Sequence, residues 1–194
     1  MYDDAIDVLR EMASLSPDRK SVSPMVFYYL GYYADKVNRP MDCRKLAPTL
    51  PAEYVFPFQL EAIAALRHAM ETNPKDARAP YYLGNLLFDW QPAEAVRLWE
   101  KSRQIDPSFA VVHRNLALAY SRQEGGLDTA IASLEKAISL NGNDPVFLFE
   151  LDQMYEAAGA TPEKRLAMIE KHREAAMGRD DTISRHIELL VLAG

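Results

Sequence analysis

An all-α array of paired helices is the fold class this sequence predicts, and three observations predict it. Apolar residues recur at three- and four-residue spacing in many short segments, the helical period, while strand-like alternation of Val, Ile and Thr is almost absent. The 194 residues hold only 8 glycines, few for a chain built on turns and strands. One pattern also repeats: a small or apolar residue, an apolar residue four later, a third after three more, and a proline after five more. It stands at Ala5, Leu9, Met12, Pro17, then at Ala62, Leu66, Ala69, Pro74 and at Ala95, Trp99, Ser102, Pro107. A fourth copy, Ala130, Leu134, Ala137, has Gly142 in the proline place. The last three copies begin 33 and 35 residues apart.

A second pattern precedes the later copies. Leu30-Gly31, Leu83-Gly84 and Leu116-Ala117 each set a small residue after a leucine, followed three positions on by Ala34, Leu87 or Tyr120. Leu151, Asp152 and Tyr155 keep the geometry with the small residue replaced. Two antiparallel helices approach closely only where one offers a small side chain to a bulky one on its neighbour. The proline that follows cannot continue a helix. Together the two patterns resemble the tetratricopeptide repeat, a helix–turn–helix unit of about 34 residues with Leu-Gly, Tyr, Ala and Pro positions. The resemblance implies a right-handed superhelical array of such repeats, with the first helices lining a concave surface.

The elements follow in order. Helical spacing covers 2–15, which looks like a second helix, and 24–37, a first helix rich in Tyr. The stretch 41–50 is a short second helix that Pro48 ends early, and a long helix covers 58–73. Regular repeats occupy 77–107 and 110–142, a diverged repeat 145–177 and a last helix 181–192. The expectation is thus a single tetratricopeptide-like array over 1–194, irregular to residue 74. Ser23-Pro24, Asp144-Pro145 and Thr161-Pro162 each place a capping oxygen before a proline at the first helical position. Pro92 with Glu94 opens another helix with an acidic first turn, which suits the helix dipole. Such an array opens on a second helix and closes on Ile187, Leu189, Leu190, Val191 and Leu192 without a polar cap. A fragment of a longer protein is therefore expected, with self-association through the C-terminal helix as a consequence of its apolar face.

Three stretches also look alike to a narrower group: PFQLEAIAALRHAMETNPKDARAPYYLGNLLFDW, SFAVVHRNLALAYSRQEGG and FLFELDQMYEAAGATPEKRLAMIEKH. They are similar to the repeat region of long bacterial proteins of unknown function that carry an N-terminal β-rich, carbohydrate-enzyme-like domain. The resemblance covers most of 53–192 and implies a sugar-processing context for the parent protein. No catalytic residue is carried over by it.

Composition narrows the partners. Lys plus Arg is 22 against 28 Asp plus Glu, a net charge of −6, whereas neutralising phosphates needs a basic patch. Nucleic acid and membrane are therefore not expected as partners. No apolar run approaches the length of a membrane span, and MYDDAIDVLREMA is not ordered as a signal peptide, so the cytoplasm is the expected location.

The residues that could carry chemistry have structural roles at hand. His68, His113, His172 and His186 lack the four-residue pairing of a helical zinc site. The single cysteine, Cys43, falls at a small-residue position, where it packs as a small apolar side chain, although Arg44 and Lys45 stand beside it. Gly125-Gly126 lacks the lysine and hydroxyl of a phosphate loop. Asp3-Asp4 and Asp180-Asp181 precede helices as caps. Asp152, at a helix contact, needs a partner if buried, and Arg179 is the candidate to bridge to Asp152 or Glu150. No catalytic residue, metal or cofactor is expected. The reading is a non-catalytic protein-interaction scaffold, with an auxiliary region of a larger carbohydrate-active enzyme as the alternative. Its partner is a protein or peptide, or another domain of the parent chain. The residues expected to face the groove lie one position after each first-helix anchor and four further on: Tyr28 and Tyr32, Tyr81 and Asn85, Arg114 and Leu118, Phe149 and Gln153. No lysine occupies these positions, so a lysine-based clamp for a chaperone tail is not expected.

Overall fold

The structure is a computed structural model, and it describes residues 2–14, 22–39, 41, 45–52 and 55–194. Cys43 and Pro17 lie outside the described residues. Among the described residues there is no strand, and the helices fall into two compact units, Met1–Asp106 and Pro107–Gly194. The boundary at Asp106-Pro107 lies between the two regular repeats.

The first unit contains α1 (Tyr2–Ser14), α2 (Pro24–Lys36), a 3-10 turn (Ala47–Thr49), α3 (Ala62–Thr72), α4 (Arg78–Leu87) and α5 (Pro92–Ile105). Ser23 starts α2 as expected, its hydroxyl accepting from the Met25 amide while Pro24 takes the first turn. Consecutive helices pack in order, α1 on α2, α2 on α3, α3 on α4 and α4 on α5. The stretch 41–50 departs from the sequence reading. Where it is described it forms only the 3-10 turn, and α3 takes the second-helix place against α2. Two prolines, Pro48 and Pro51, prevent a longer helix there. The long helix expected from residue 58 starts at Ala62, because Phe56 to Gln59 runs without helical structure around Pro57.

The second unit contains α6 (Ala110–Ser121), α7 (Leu127–Leu140), α8 (Pro145–Ala157), α9 (Pro162–Lys171), α10 (Arg173–Ala176) and α11 (Asp180–Leu192). Asp144 caps α8 through the Val146 amide, and Thr161 caps α9 through the Lys164 amide. α6 pairs with α7, α7 with α8, and α8 with α9, while α11 packs across both α8 and α9.

The repeat positions explain the packing. Ala62, Leu66 and Ala69, then Ala95, Trp99 and Ser102, then Ala130, Leu134 and Ala137 are all buried. In α1 the same pattern is weaker, since Ala5 and Leu9 are half-buried and Met12 is exposed. Gly84 shows why the first helix needs a small residue. A Cβ at Gly84 would stand 2.6 Å from Cδ1 and 3.1 Å from Cε2 of Trp99. The indole is fixed from two sides, its Nε1 donating to Asn85 Oδ1 at 3.1 Å and to the Tyr81 carbonyl at 3.2 Å. Ser102, one turn further along α5, donates to the Ala77 carbonyl at 2.6 Å.

Replacing Gly84 by Leu should therefore overpack the α4–α5 contact and cost about 1–3 kcal/mol. A lowered midpoint in chemical denaturation is the expected outcome, and an unchanged midpoint would contradict the repeat register.

Candidate interaction surface

The expected groove positions divide by unit. In Met1–Asp106, Tyr28 is 4% exposed and Tyr81 5% exposed, so neither ring offers surface to a ligand. Both α2 and α4 pack against the 3-10 turn as well as against their neighbouring helices, and the rings of Tyr28 and Tyr81 each pack on Tyr82. Tyr28 instead donates to Asp76 Oδ2 at 2.9 Å, and Asp76 Oδ1 accepts the backbone amides of Arg78 and Ala79 at 2.8 and 3.2 Å. Burial lifts the Asp76 carboxyl above its ordinary value, opposed by these hydrogen bonds, and burial followed by the Asp76 charge lifts the Tyr28 phenol. Asn85 is half-buried and engaged with Trp99. Tyr32 is half-buried, with Lys36 Nζ 5.2 Å above its ring and His68 against its edge.

The Pro107–Gly194 unit keeps all four expected residues at or near its surface. Arg114 on α6 reaches α8 and binds Glu150 through both arms of its guanidinium, Nε donating to Oε2 at 2.8 Å and Nη2 to Oε1. Leu118 and Phe149 are half-buried and Gln153 is exposed. The two first helices of this unit are thus bridged by an ion pair, with Phe149 and Gln153 next to it on α8, while Leu118 packs against the core. Glu150 was not among the expected residues, although its charge, opposite to that of Arg114 and one repeat away, is a signal that could have found it.

Asp152 lies on the opposite side of α8 and is 0% exposed. Its partner is not Arg179, which pairs with Asp181 at 2.8 Å at the start of its own helix. Arg165 of α9 binds both carboxylate oxygens, Nε to Oδ1 at 2.8 Å and Nη2 to Oδ2 at 2.9 Å. Arg185 of α11 adds Nε at 2.9 Å from Oδ2. Arg179 precedes α11, whereas Arg185 projects from within it, where the helix packs on α8. The hydrogen bond to Asp152 is the first cause holding the Arg165 guanidinium above its ordinary value. This is a structural hub joining three helices, so the expectation that Asp152 needs a partner holds and the partner is corrected.

Four further buried polar side chains are hydrogen-bonded. His113 bonds the Pro107 carbonyl at 2.9 Å, His186 the Glu170 carboxylate at 2.5 Å, Ser133 the Thr129 carbonyl and Thr182 the Pro145 carbonyl. No group of three or more His, Cys, Asp or Glu residues is arranged for a metal ion among the described residues. None of the described helices is long and apolar enough to cross a membrane. On α11, Ile187, Leu190, Val191 and Leu192 are each about half exposed or more. Leu189, expected to lie beside them at the surface, is fully buried in the core instead, since it falls on the face shared with His186 and Thr182.

Converting Asp152 to Asn keeps its size but removes the buried carboxylate from two arginines, leaving the buried Arg165 with only Glu156 at 2.9 Å as its counter-charge. A loss of about 3–5 kcal/mol is expected. Equal stability in urea titration would remove Asp152 from its place as the hub.

No family model matches the sequence. Among solved structures the chain is similar to a thermophilic TPR protein, TTC0263 of Thermus thermophilus, at 19% identity over 98% of this chain and 91% of that one, with a TM-score of 0.56. It is also similar to MamA, at 19% identity over 91% of this chain and 83% of that one, with a TM-score of 0.54. A MamA structure from Desulfovibrio magneticus RS-1 aligns at 19% identity over 92% and 88%, with a TM-score of 0.52. Likeness at this identity speaks for fold, and the fold is the all-helical, helix–turn–helix repeat type of tetratricopeptide repeat proteins.

Proposed function

We propose that this protein is a non-catalytic interaction scaffold that takes a peptide or protein partner on its first-helix faces. The observation that carries the reading is the Arg114–Glu150 pairing, which bridges α6 and α8 beside Phe149 and Gln153, two side chains that the core cluster leaves out. A half-buried aromatic ring flanked by a charge pair and an amide is the composition of a protein-contact surface. The Asp152 cluster adds support, because its charges are engaged in holding α8, α9 and α11 together. The repeat fold is consistent with that use, since stacked helix pairs present extended surfaces. Nothing in the fold or among its neighbours favours the carbohydrate-enzyme context, and the reading does not draw on it.

A random peptide library panned on the intact chain should yield binders that Phe149→Ala and Gln153→Ala weaken by about tenfold or more, the effect of removing a central contact. Circular dichroism should stay unchanged. Selected peptides that bind both variants as well as the parent would place the surface elsewhere.

The apolar side of α11 supports a second part of the proposal, association of two copies through Ile187, Leu190, Val191 and Leu192. Contiguous exposed apolar side chains of this kind mark interfaces. Ile187→Glu with Val191→Glu should shift light scattering from a dimer to a monomer. Leu189 is left intact, because it belongs to the core. A parent chain that is monomeric at high concentration would end this part.

A further inference from the structure

The connection between α7 and α8 carries a pair of groups that neither the packing nor the contact face uses. Asn141 follows the last residue of α7. Its amide donates to the Ala137 carbonyl at 2.9 Å, and its backbone, at φ −143° and ψ 79°, has left the helical conformation. Gly142 and Asn143 come next, then Asp144, the cap of α8. Asn141 and Gly142 are half-buried, so water reaches both. Among the described residues, neither the Asn141 carboxamide nor the Gly142 N–H has a hydrogen-bond partner.

Attack on an asparagine side chain comes from the backbone nitrogen of the next residue, once that nitrogen has given up its proton. The other asparagines are each held back at this step. Asn73 precedes Pro74, whose nitrogen carries no proton. After Asn38, the Arg39 N–H is donated to the Ala34 carbonyl at 2.8 Å. Asn85 and Asn115 lie inside α4 and α6, where the following amide belongs to the helical ladder. Asn143 is followed by Asp144, whose side chain crowds the nitrogen and whose charge opposes loss of the proton. Gly142 offers a nitrogen with no side chain beside it and a backbone free to rotate.

We propose that Asn141-Gly142 is a site of spontaneous deamidation, which alters the junction of α7 and α8 as the protein ages. The Gly142 nitrogen gives its proton to water and attacks Cγ of Asn141. The bond from Cγ to the side-chain nitrogen breaks, and ammonia leaves with a proton returned from water. A further water opens the cyclic imide that results. Opening at the side-chain carbonyl gives aspartate, and opening at the main-chain carbonyl gives isoaspartate. Both products set a carboxylate at the C-terminal end of α7, where the helix dipole disfavours negative charge. Isoaspartate also adds a carbon to the main chain where there is little slack. A Cβ on Gly142 would already stand 3.2 Å from Cε1 and Nδ1 of His172 and 3.3 Å from the Ile138 carbonyl oxygen. The modification therefore loosens the contact of α7 with α8 and α9.

The inference does not rest on the α6–α8 face, and the two fail separately. The test is peptide mapping by mass spectrometry of the intact chain after weeks in mildly alkaline buffer, with the aspartate and isoaspartate products separated by chromatography. Conversion at Asn141 is expected ahead of every other asparagine, at a rate within about tenfold of that in the guanidinium-unfolded chain. Gly142→Ala, checked for folding by circular dichroism, should slow it by about tenfold or more, and Asn141→Ser should remove it. The urea midpoint of the parent should fall as conversion proceeds, while that of Asn141→Ser holds. Conversion confined to the unfolded chain, conversion led by another asparagine, an equal rate in folded Gly142→Ala, or an unchanged midpoint after full conversion would each overturn the inference.

Discussion

Close approach of two helices at one fixed position is the constraint on which the repeat packing depends. Where Trp99 of α5 meets α4, the indole occupies the volume that any side chain at residue 84 would need, so glycine is demanded by contact rather than by backbone conformation. The hydrogen bonds from the indole to Asn85 and to the Tyr81 carbonyl then fix the register of the pair. Asn85 is thereby drawn into the repeat interior, although its spacing alone would have put it on an outer face. The small residue and the ring form one device.

The diverged repeat meets the same constraint with a different chemistry. Asp152 stands where α4 has Gly84 and α6 has Ala117, and a buried carboxylate there would be costly alone. Arg165 and Arg185 converge on it from α9 and α11, so the contact between helices becomes an ion-paired one. Removing one partner costs far more than replacing the whole cluster with apolar residues of matched volume, because the loss lies in the charge left behind. Such a hub fixes which helices meet, and α11 owes part of its placement to it.

What was legible in the sequence follows from these two mechanisms. The Ala, Leu and small-residue spacing of α3, α5 and α7 reports one-sided burial, and one-sided burial has a helical period that can be counted. Caps at Ser23, Asp144 and Thr161 were legible because a side-chain oxygen before a proline acts locally. The span 41–61 was not, since two prolines within four residues break a helical pattern without saying what replaces it. Tyr28 and Tyr81 were placed outward by a rule that assumes a helix covered on one side. The 3-10 turn adds a further neighbour to α2 and α4, and no local pattern announces that. The Tyr28–Asp76 bond joins positions 48 residues apart, a separation at which spacing carries no signal.

Helix α8 carries both a core face and the contact surface proposed above. Leu148, Leu151, Asp152 and Tyr155 recur at three- and four-residue steps and face the core, where Asp152 carries its arginines. Phe149, Glu150 and Gln153 recur at the same steps on the other side. The helical period separates the two sets by roughly half a turn, so a change on one face leaves the side chains of the other where they were. On the reading proposed above the inner face serves the outer one: with α8 joined to α9 and α11 through Asp152, Phe149 is held in place before a partner arrives. Preorganisation of that kind lowers the ordering cost of binding.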